Sequence, residues 1–246
     1  MKNRYLIIQT GDPVPLAAPH GEAFADWFIA GMDVDAGCVD VINVHHGATL
    51  PPLKHAVDTY AGLLITGSKA MVTEGDDWVR KTQAWLRQTL PHKIPMLGVC
   101  FGHQLLADML GGEVGYNPKG RRIGLSQCQL TANSVEDPLF QVLPQPQVDV
   151  LVSHSQVILT PPSDSRVFGR TEADTNHLFR FRDFIWGVQY HPEWNAEITA
   201  AYIKQRSDAY KAEGLQPEKL LTQLKDCPRA GNILSRFVEI TSTMTS

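Results

Sequence analysis

A chain of 246 residues, 43% hydrophobic and 20% charged, is long enough for one large core and has an ordinary globular make-up. A net charge of −4 without any run of Lys or Arg gives no electrostatic footprint for nucleic acid. The apolar run Tyr5 to Ile8 is too short for a secretory leader or a bilayer span, so a cytoplasmic protein with no membrane partner is expected.

Tyr5 to Gln9 reads as a first strand, closed by Thr10-Gly11-Asp12-Pro13. His20 to Met32 reads as a helix with Ala23, Phe24, Trp27 and Phe28 on one face. Cys38 to Val44 reads as a second strand. His45 and His46 follow it. Adjacent residues on a strand face opposite ways, so the pair is expected to be loop residues and no metal site. Tyr60 to Thr66 is apolar enough for a buried parallel strand, and Gly67-Ser68-Lys69 ends it. Residues from Thr73 to Trp78 read as an acidic loop. A helix from Trp78 to Leu90 follows, with Val79, Ala84, Trp85 and Leu86 available for packing.

Met96 to Val99 reads as a short buried strand running into Cys100, which has Gly98 and Gly102 two residues to either side. A helical apolar stripe begins just after it and runs to Leu110, where Gly111-Gly112 gives a stop signal. Flanking glycines permit a sharp strand-to-helix turn, with the sulfur at a helix N-terminus that favours a thiolate. A lone cysteine among apolar residues is more often a buried hydrophobe. The stronger reading rests on a second segment, Gly187-Val188-Gln189-Tyr190-His191-Pro192-Glu193, which supplies a histidine and a carboxylate. A nucleophile with a distant base and its orienting acid follows the logic of a triad.

Tyr116 to Arg122 reads as a polar loop. Strands are expected over Ile123–Leu130, Val148–Val152, Val167–Arg170, His177–Phe181 and Phe184–Gln189, with a hairpin turn at Arg182-Asp183. Ser153 to Gln156 reads as a turn. Asn195 caps a helix reaching about Ala212, and shorter helices follow over Glu218–Leu224 and Asn232–Ile240. The alternation of strand and helix predicts an α/β fold, a doubly wound and mostly parallel sheet flanked by helices, with its site at the strands' carboxyl ends. Residues 1–195 are expected to form the principal domain and 196–246 a helical extension packed on it. The four cysteines form no C-x-x-C pair, so disulfides and zinc are not expected, and Cys38, Cys128 and Cys227 read as structural. His103 is given no role.

Gly98-Val99-Cys100-Phe101-Gly102-His103-Gln104 together with Gly187 to Glu193 resembles the signatures of class I (triad) glutamine amidotransferases. The likeness is to the amidotransferase domain of GMP synthase and its free-standing relatives, and it covers residues 1–195. It implies a flavodoxin-like fold and hydrolysis of the glutamine side-chain amide through a γ-glutamyl thioester. Cys100 would be the nucleophile, His191 the base and Glu193 its orienter. The backbone N–H groups of Phe101 and of Ser68 or Gly67 would form the oxyanion hole. Gln104, Ser153 and His154 would lie by the substrate. No metal or cofactor is implied.

Three positions depart from the family pattern: Ser68 stands where a second Gly is commoner, Arg122 where a Glu usually precedes Ile-Gly, and Gln156 where an acid is commoner. No G-x-x-x-x-G-K-[ST] loop is present, so ammonia would pass to a separate synthetase partner. The alternatives are a free-standing hydrolase of γ-glutamyl peptides or metabolites and a non-catalytic regulatory protein of the same fold.

Overall fold

In a computed structural model, residues 2–244 are described; residue 1 and residues 245 and 246, the outer ends of the two expected segments, lie outside them. Strand β1 (Arg4–Gln9) leads through a loop to helix α1 (Phe24–Met32) and strand β2 (Val39–Asn43). Helix α2 (Leu53–Thr59), β3 (Tyr60–Ile65), α3 (Asp77–Thr89), β4 (Met96–Val99) and α4 (Phe101–Met109) follow. The chain then turns to strands: β5 (Glu113–Tyr116), β6 (Arg122–Leu130), β7 (Gln147–His154), β8 (Gln156–Thr160), β9 (Ser165–Arg170), β10 (Leu178–Phe181) and β11 (Ile185–Val188). It closes with α5 (Ala196–Gln205), α6 (Ser207–Ala212), α7 (Pro217–Thr222), α8 (Pro228–Gly231) and α9 (Ile233–Met244). No described helix is long and apolar enough to cross a membrane.

Nine strands form one sheet in the order β2-β1-β3-β4-β11-β10-β9-β6-β7, and β5 pairs with β8 separately. The five strands from β2 to β11 are mutually parallel, and the other four extend the sheet antiparallel. Every residue of β3, β4 and β11 is buried, as strands covered by helices on both faces must be. One face is packed by α1, α5 and α9 through Phe28, Met32, Ile203, Leu234 and Phe237. The other is packed by α3 and α4 through Val79, Leu86, Leu105 and Leu106. The expected doubly wound architecture is therefore present, with an antiparallel wing added.

Several local expectations change. Helix α1 starts at Phe24 rather than His20, because Asp26 accepts the N–H of Ala23 at 2.7 Å and fixes the first turn there. In α3 the inward face is Val79, Thr82, Gln83 and Leu86; Ala84 is exposed, since helical spacing turns it outward. Buried Gln83 donates to Asp108 at 2.7 Å, so a polar side chain completes an apolar stripe. The helix after Asn195 is two helices, because Arg206 leaves helical backbone at φ −114°, ψ 17°. Asn195 itself caps as expected, its Oδ1 accepting the N–H of Ile198 at 2.8 Å. Ser153 to Gln156 is not a free turn: it is the end of β7 and the start of β8, separated by Ser155 alone.

Candidate active site

Three neighbouring parallel strands end at one edge of the sheet and carry the candidate residues there. Val99 of β4 is in register with Val188 of β11, so Cys100 and the His191 segment emerge side by side although they are far apart in sequence. Strand β3 flanks β4 on its other side, and Gly67 follows it. A Cβ placed on Gly67 would come 3.0 Å from Cε1 of His191 and 3.7 Å from Cβ of Cys100. Hence Gly67, Cys100 and His191 form one compact corner.

Cys100 has φ 52° and ψ −102°, a backbone region that L-residues avoid. Both flanking glycines are needed for that turn. A Cβ on Gly98 would meet the carbonyl oxygen of Gly102 at 2.5 Å, and one on Gly102 would meet that of Ile65 at 2.4 Å. These contacts are with backbone and cannot be relieved by a side-chain rotation. The turn puts Sγ at the N-terminus of α4, where the helix dipole favours negative charge. Sγ lies 3.5 Å from the carbonyl oxygen of Ser153.

Nδ1 of His191 is 2.6 Å from Oε1 of Glu193, and the two side chains are 4% and 0% exposed. Binding Nδ1 leaves Nε2 as the nitrogen available to Cys100. Burial pushes the imidazole down, but the charges of Glu193 and Cys100 outweigh it and hold the His191 pKa at about 10. The indole of Trp194 stacks on the imidazole at 3.8 Å with an interplanar angle of 10°. An aromatic face over a charged ring supports the protonated form and prevents the ring from turning.

Phe101 begins α4, so its N–H lies outside the helical ladder and is free to serve a ligand. The other candidate donor can be narrowed. The carbonyl of Gly67 accepts from Oγ1 of Thr10 at 2.9 Å and of Thr66 at 3.1 Å, both buried. In a trans peptide the next N–H points the opposite way, so it is Ser68, rather than Gly67, that directs its N–H away from this threonine pair. The Ser68 hydroxyl accepts the N–H of Ala70 at 3.1 Å and steadies the loop.

Gln104, Ser153 and His154 all line the cleft beside Cys100. Gln104 is held firmly: its Nε2 donates to the carbonyl of Gln156 at 2.7 Å and to Oε1 of Gln189 at 3.0 Å. His154 is buried, which pushes its pKa down to about 4, and its Nδ1 lies 3.0 Å from the same Gln156 carbonyl. It is therefore a neutral donor. Gln156 turns its side-chain amide to Thr73 at 2.6 Å. Arg122 starts β6, opposite His154, with its Nε buried. His103 does not stand free on the helix but is fully buried against Phe179, and burial lowers its pKa to about 3.

The cleft also contains Asp12, Arg121, Trp194, Tyr202 and Arg206, none of which sequence reasoning singled out. Trp194 had the one usable signal, being an aromatic residue directly after the histidine segment. His45 and His46, expected as loop residues after the second strand, stand on a short 3-10 turn, Val44–His46, and both rings reach Asp12.

An acid-backed histidine beside a strained cysteine, with backbone donors close by, brings together the groups that acyl transfer to a thiol uses. The family profile of class-I glutamine amidotransferases matches residues 35–207. The chain belongs to that family. A Saccharomyces cerevisiae protein named as a candidate glutamine amidotransferase is 31% identical over 160 residues, 63% of this chain and 62% of its own length. Gamma-glutamyl peptidase 2 of Arabidopsis thaliana is 28% identical over 177 residues, 71% of this chain and 68% of its own. The glutamine-hydrolyzing GMP synthase of Aeropyrum pernix is 31% identical over 145 residues, which is 59% of this chain but 26% of that enzyme. Among solved structures, a glutamine amidotransferase from Thermotoga maritima superposes with a TM-score of 0.76, covering 98% of this chain and 99% of its own at 19% identity. That likeness establishes the fold.

Proposed function

We propose that this chain hydrolyses the side-chain amide of a γ-glutamyl group through a thioester on Cys100. The observation that supports it is His191, held by Glu193 at 2.6 Å and charged beside the Cys100 sulfur. In this reading the Cys100 thiolate adds to the amide carbon, and the oxyanion accepts from the N–H groups of Phe101 and Ser68. His191 gives its Nε2 proton to the leaving nitrogen as the C–N bond breaks. The neutral imidazole then takes a proton from water, whose oxygen attacks the thioester carbon. Breaking the C–S bond restores the thiolate and releases glutamate. Residues 196–244 act as an extension of the same domain, because Arg206 and Tyr202 line the cleft from it.

The leaving group divides the readings. Arg206 and Arg121, the latter paired with Glu213, line the cleft with Cys100; one cation can take the α-carboxylate that every γ-glutamyl substrate carries, and the departure of ammonia has no use for a second. The two arginines favour a γ-glutamyl peptide or conjugate whose leaving amine carries a carboxylate. Hydrolysis of glutamine, with ammonia passed to a separate synthetase, is the second reading, favoured by the segment shared with GMP synthase. The discriminating experiment measures glutamate released from γ-glutamyl dipeptides and from glutamine, with Cys100→Ala as the control. Faster release from dipeptides supports the first reading; release from glutamine alone supports the second.

A further inference from the structure

Asp12, His45 and His46 meet at the outer end of the same sheet edge. β1 and β2 run parallel with Gln9 opposite Asn43, so the loops after them start level. The 3-10 turn is closed by Gly47 at φ 84°, and it brings two adjacent imidazoles to one side with ring centroids 4.0 Å apart. Nε2 of His45 lies 3.1 Å from Oδ1 of Asp12, and Nε2 of His46 lies 2.9 Å from Oδ2.

Donor accounting shows what the three groups can offer a ligand. Nδ1 of His45 is 3.1 Å from the carbonyl oxygen of Gln9. A carbonyl can only accept, so Nδ1 carries the hydrogen. In the neutral ring Nε2 then presents a lone pair, and it is buried without a hydrogen-bond partner among the described residues. It faces a carboxylate oxygen, a second lone pair. Two such atoms repel unless a cation, either a proton or a metal ion, lies between them. A tetrahedral ion with bonds of about 2.0–2.2 Å spaces its ligand atoms by roughly 3.3–3.6 Å, so the groups at 3.1 and 2.9 Å need to part by only a few tenths of an ångström to admit one. The three donor atoms all lie within 4.8 Å of one another.

We propose that Asp12, His45 and His46 form a binding site for a divalent ion of the zinc class, held by Nε2 of each histidine and the carboxylate of Asp12. Imidazole nitrogens select such an ion over magnesium or calcium. His46 moves its hydrogen from Nε2 to Nδ1 through solvent, to which its side chain is 62% exposed. Three protein donors leave a fourth position open. Because Asp12 also lines the Cys100 cleft, the ion would turn an anionic corner of that cleft cationic and offer its open position to an anionic group there.

The test uses the full chain carrying Cys100→Ala, freed of metal by a chelator, so that the reactive thiol cannot bind the ion. Zn²⁺ is titrated by calorimetry, and Co²⁺ by its visible spectrum. The expected result is one ion per chain, a tetrahedral Co²⁺ spectrum and a Tm that rises with Zn²⁺. Affinity falls at least ~10-fold in both His46→Ala and Asp12→Asn, each with the metal-free Tm of its parent. No binding, or binding unchanged by either substitution, overturns the site.

Discussion

Gln104 donates its amide hydrogen to Oε1 of Gln189 at 3.0 Å, a bond between side chains 85 positions apart. It ties the helix behind Cys100 to the end of the strand that delivers His191. Both glutamines are buried, so the bond is made where water cannot substitute for it. The separation of Cys100 and His191 is thus set by strand register and by this amide pair together. Replacing Gln104 by Met keeps the volume but removes the donor to Gln189 Oε1 and leaves the Gln156 carbonyl with His154 Nδ1 alone. A loss of about 1–3 kcal/mol is expected in chemical denaturation.

The charge on His191 is linked to stability. Its pKa is about 10 when folded and near 6.5 when unfolded. The native state therefore binds the proton more tightly. The stabilisation is complete below about pH 6.5 and is lost as pH rises toward 10. Stability measured across that range should decline in the parent and decline less in His191→Gln. In Glu193→Gln the His191 pKa, followed by NMR, should move down, because the main charge holding it up is gone.

Strain at Cys100 predicts an ordering of variants. Ala retains the unfavourable φ of 52° whereas Gly tolerates it. Cys100→Gly should be more stable than Cys100→Ala by about 1–2 kcal/mol, which at this chain length corresponds to several degrees in Tm. By contrast, Gly98→Ala and Gly102→Ala should destabilise by about 1–3 kcal/mol or more, because each new methyl meets backbone oxygen at 2.5 or 2.4 Å.

Arg206 tests which leaving group the cleft fits. If it holds the carboxylate of the departing amine, Arg206→Ala should raise KM for a γ-glutamyl dipeptide about 10- to 100-fold. Hydrolysis of glutamine, which lacks that carboxylate, should be unchanged. An equal effect on both substrates would assign Arg206 to the γ-glutamyl half instead. Arg121, fixed to Glu213 at 2.7 Å, provides the parallel variant.

Much of the corner around Cys100 was legible because local chemistry dictates it. The Gly98 and Gly102 flanks announce the turn, and the uninterrupted apolar runs of β3 and β4 announce buried parallel strands. What was not legible depends on tertiary neighbours. The short pair of β5 with β8 has too little periodicity to announce itself. The break at Arg206 falls in a stretch whose composition favours helix throughout. Asp12, Arg206 and Tyr202 enter the cleft because of where α5 and the β1 loop land, and nothing in their own surroundings marks them. The adjacent histidines, expected as loop residues, do follow the strand, but their shared approach to Asp12 depends on the 3-10 turn Val44–His46, which the strand alternation does not describe.

The central claim is a covalent glutamyl–Cys100 intermediate. The most direct measurement is mass spectrometry of the chain quenched during turnover of a γ-glutamyl dipeptide, followed by peptide mapping. The account predicts a glutamyl adduct on the Cys100 peptide, absent when substrate is omitted and absent in Cys100→Ala, with glutamate release lost in that variant. Glutamate release that persists in Cys100→Ala, or an adduct carried on another residue, would contradict it.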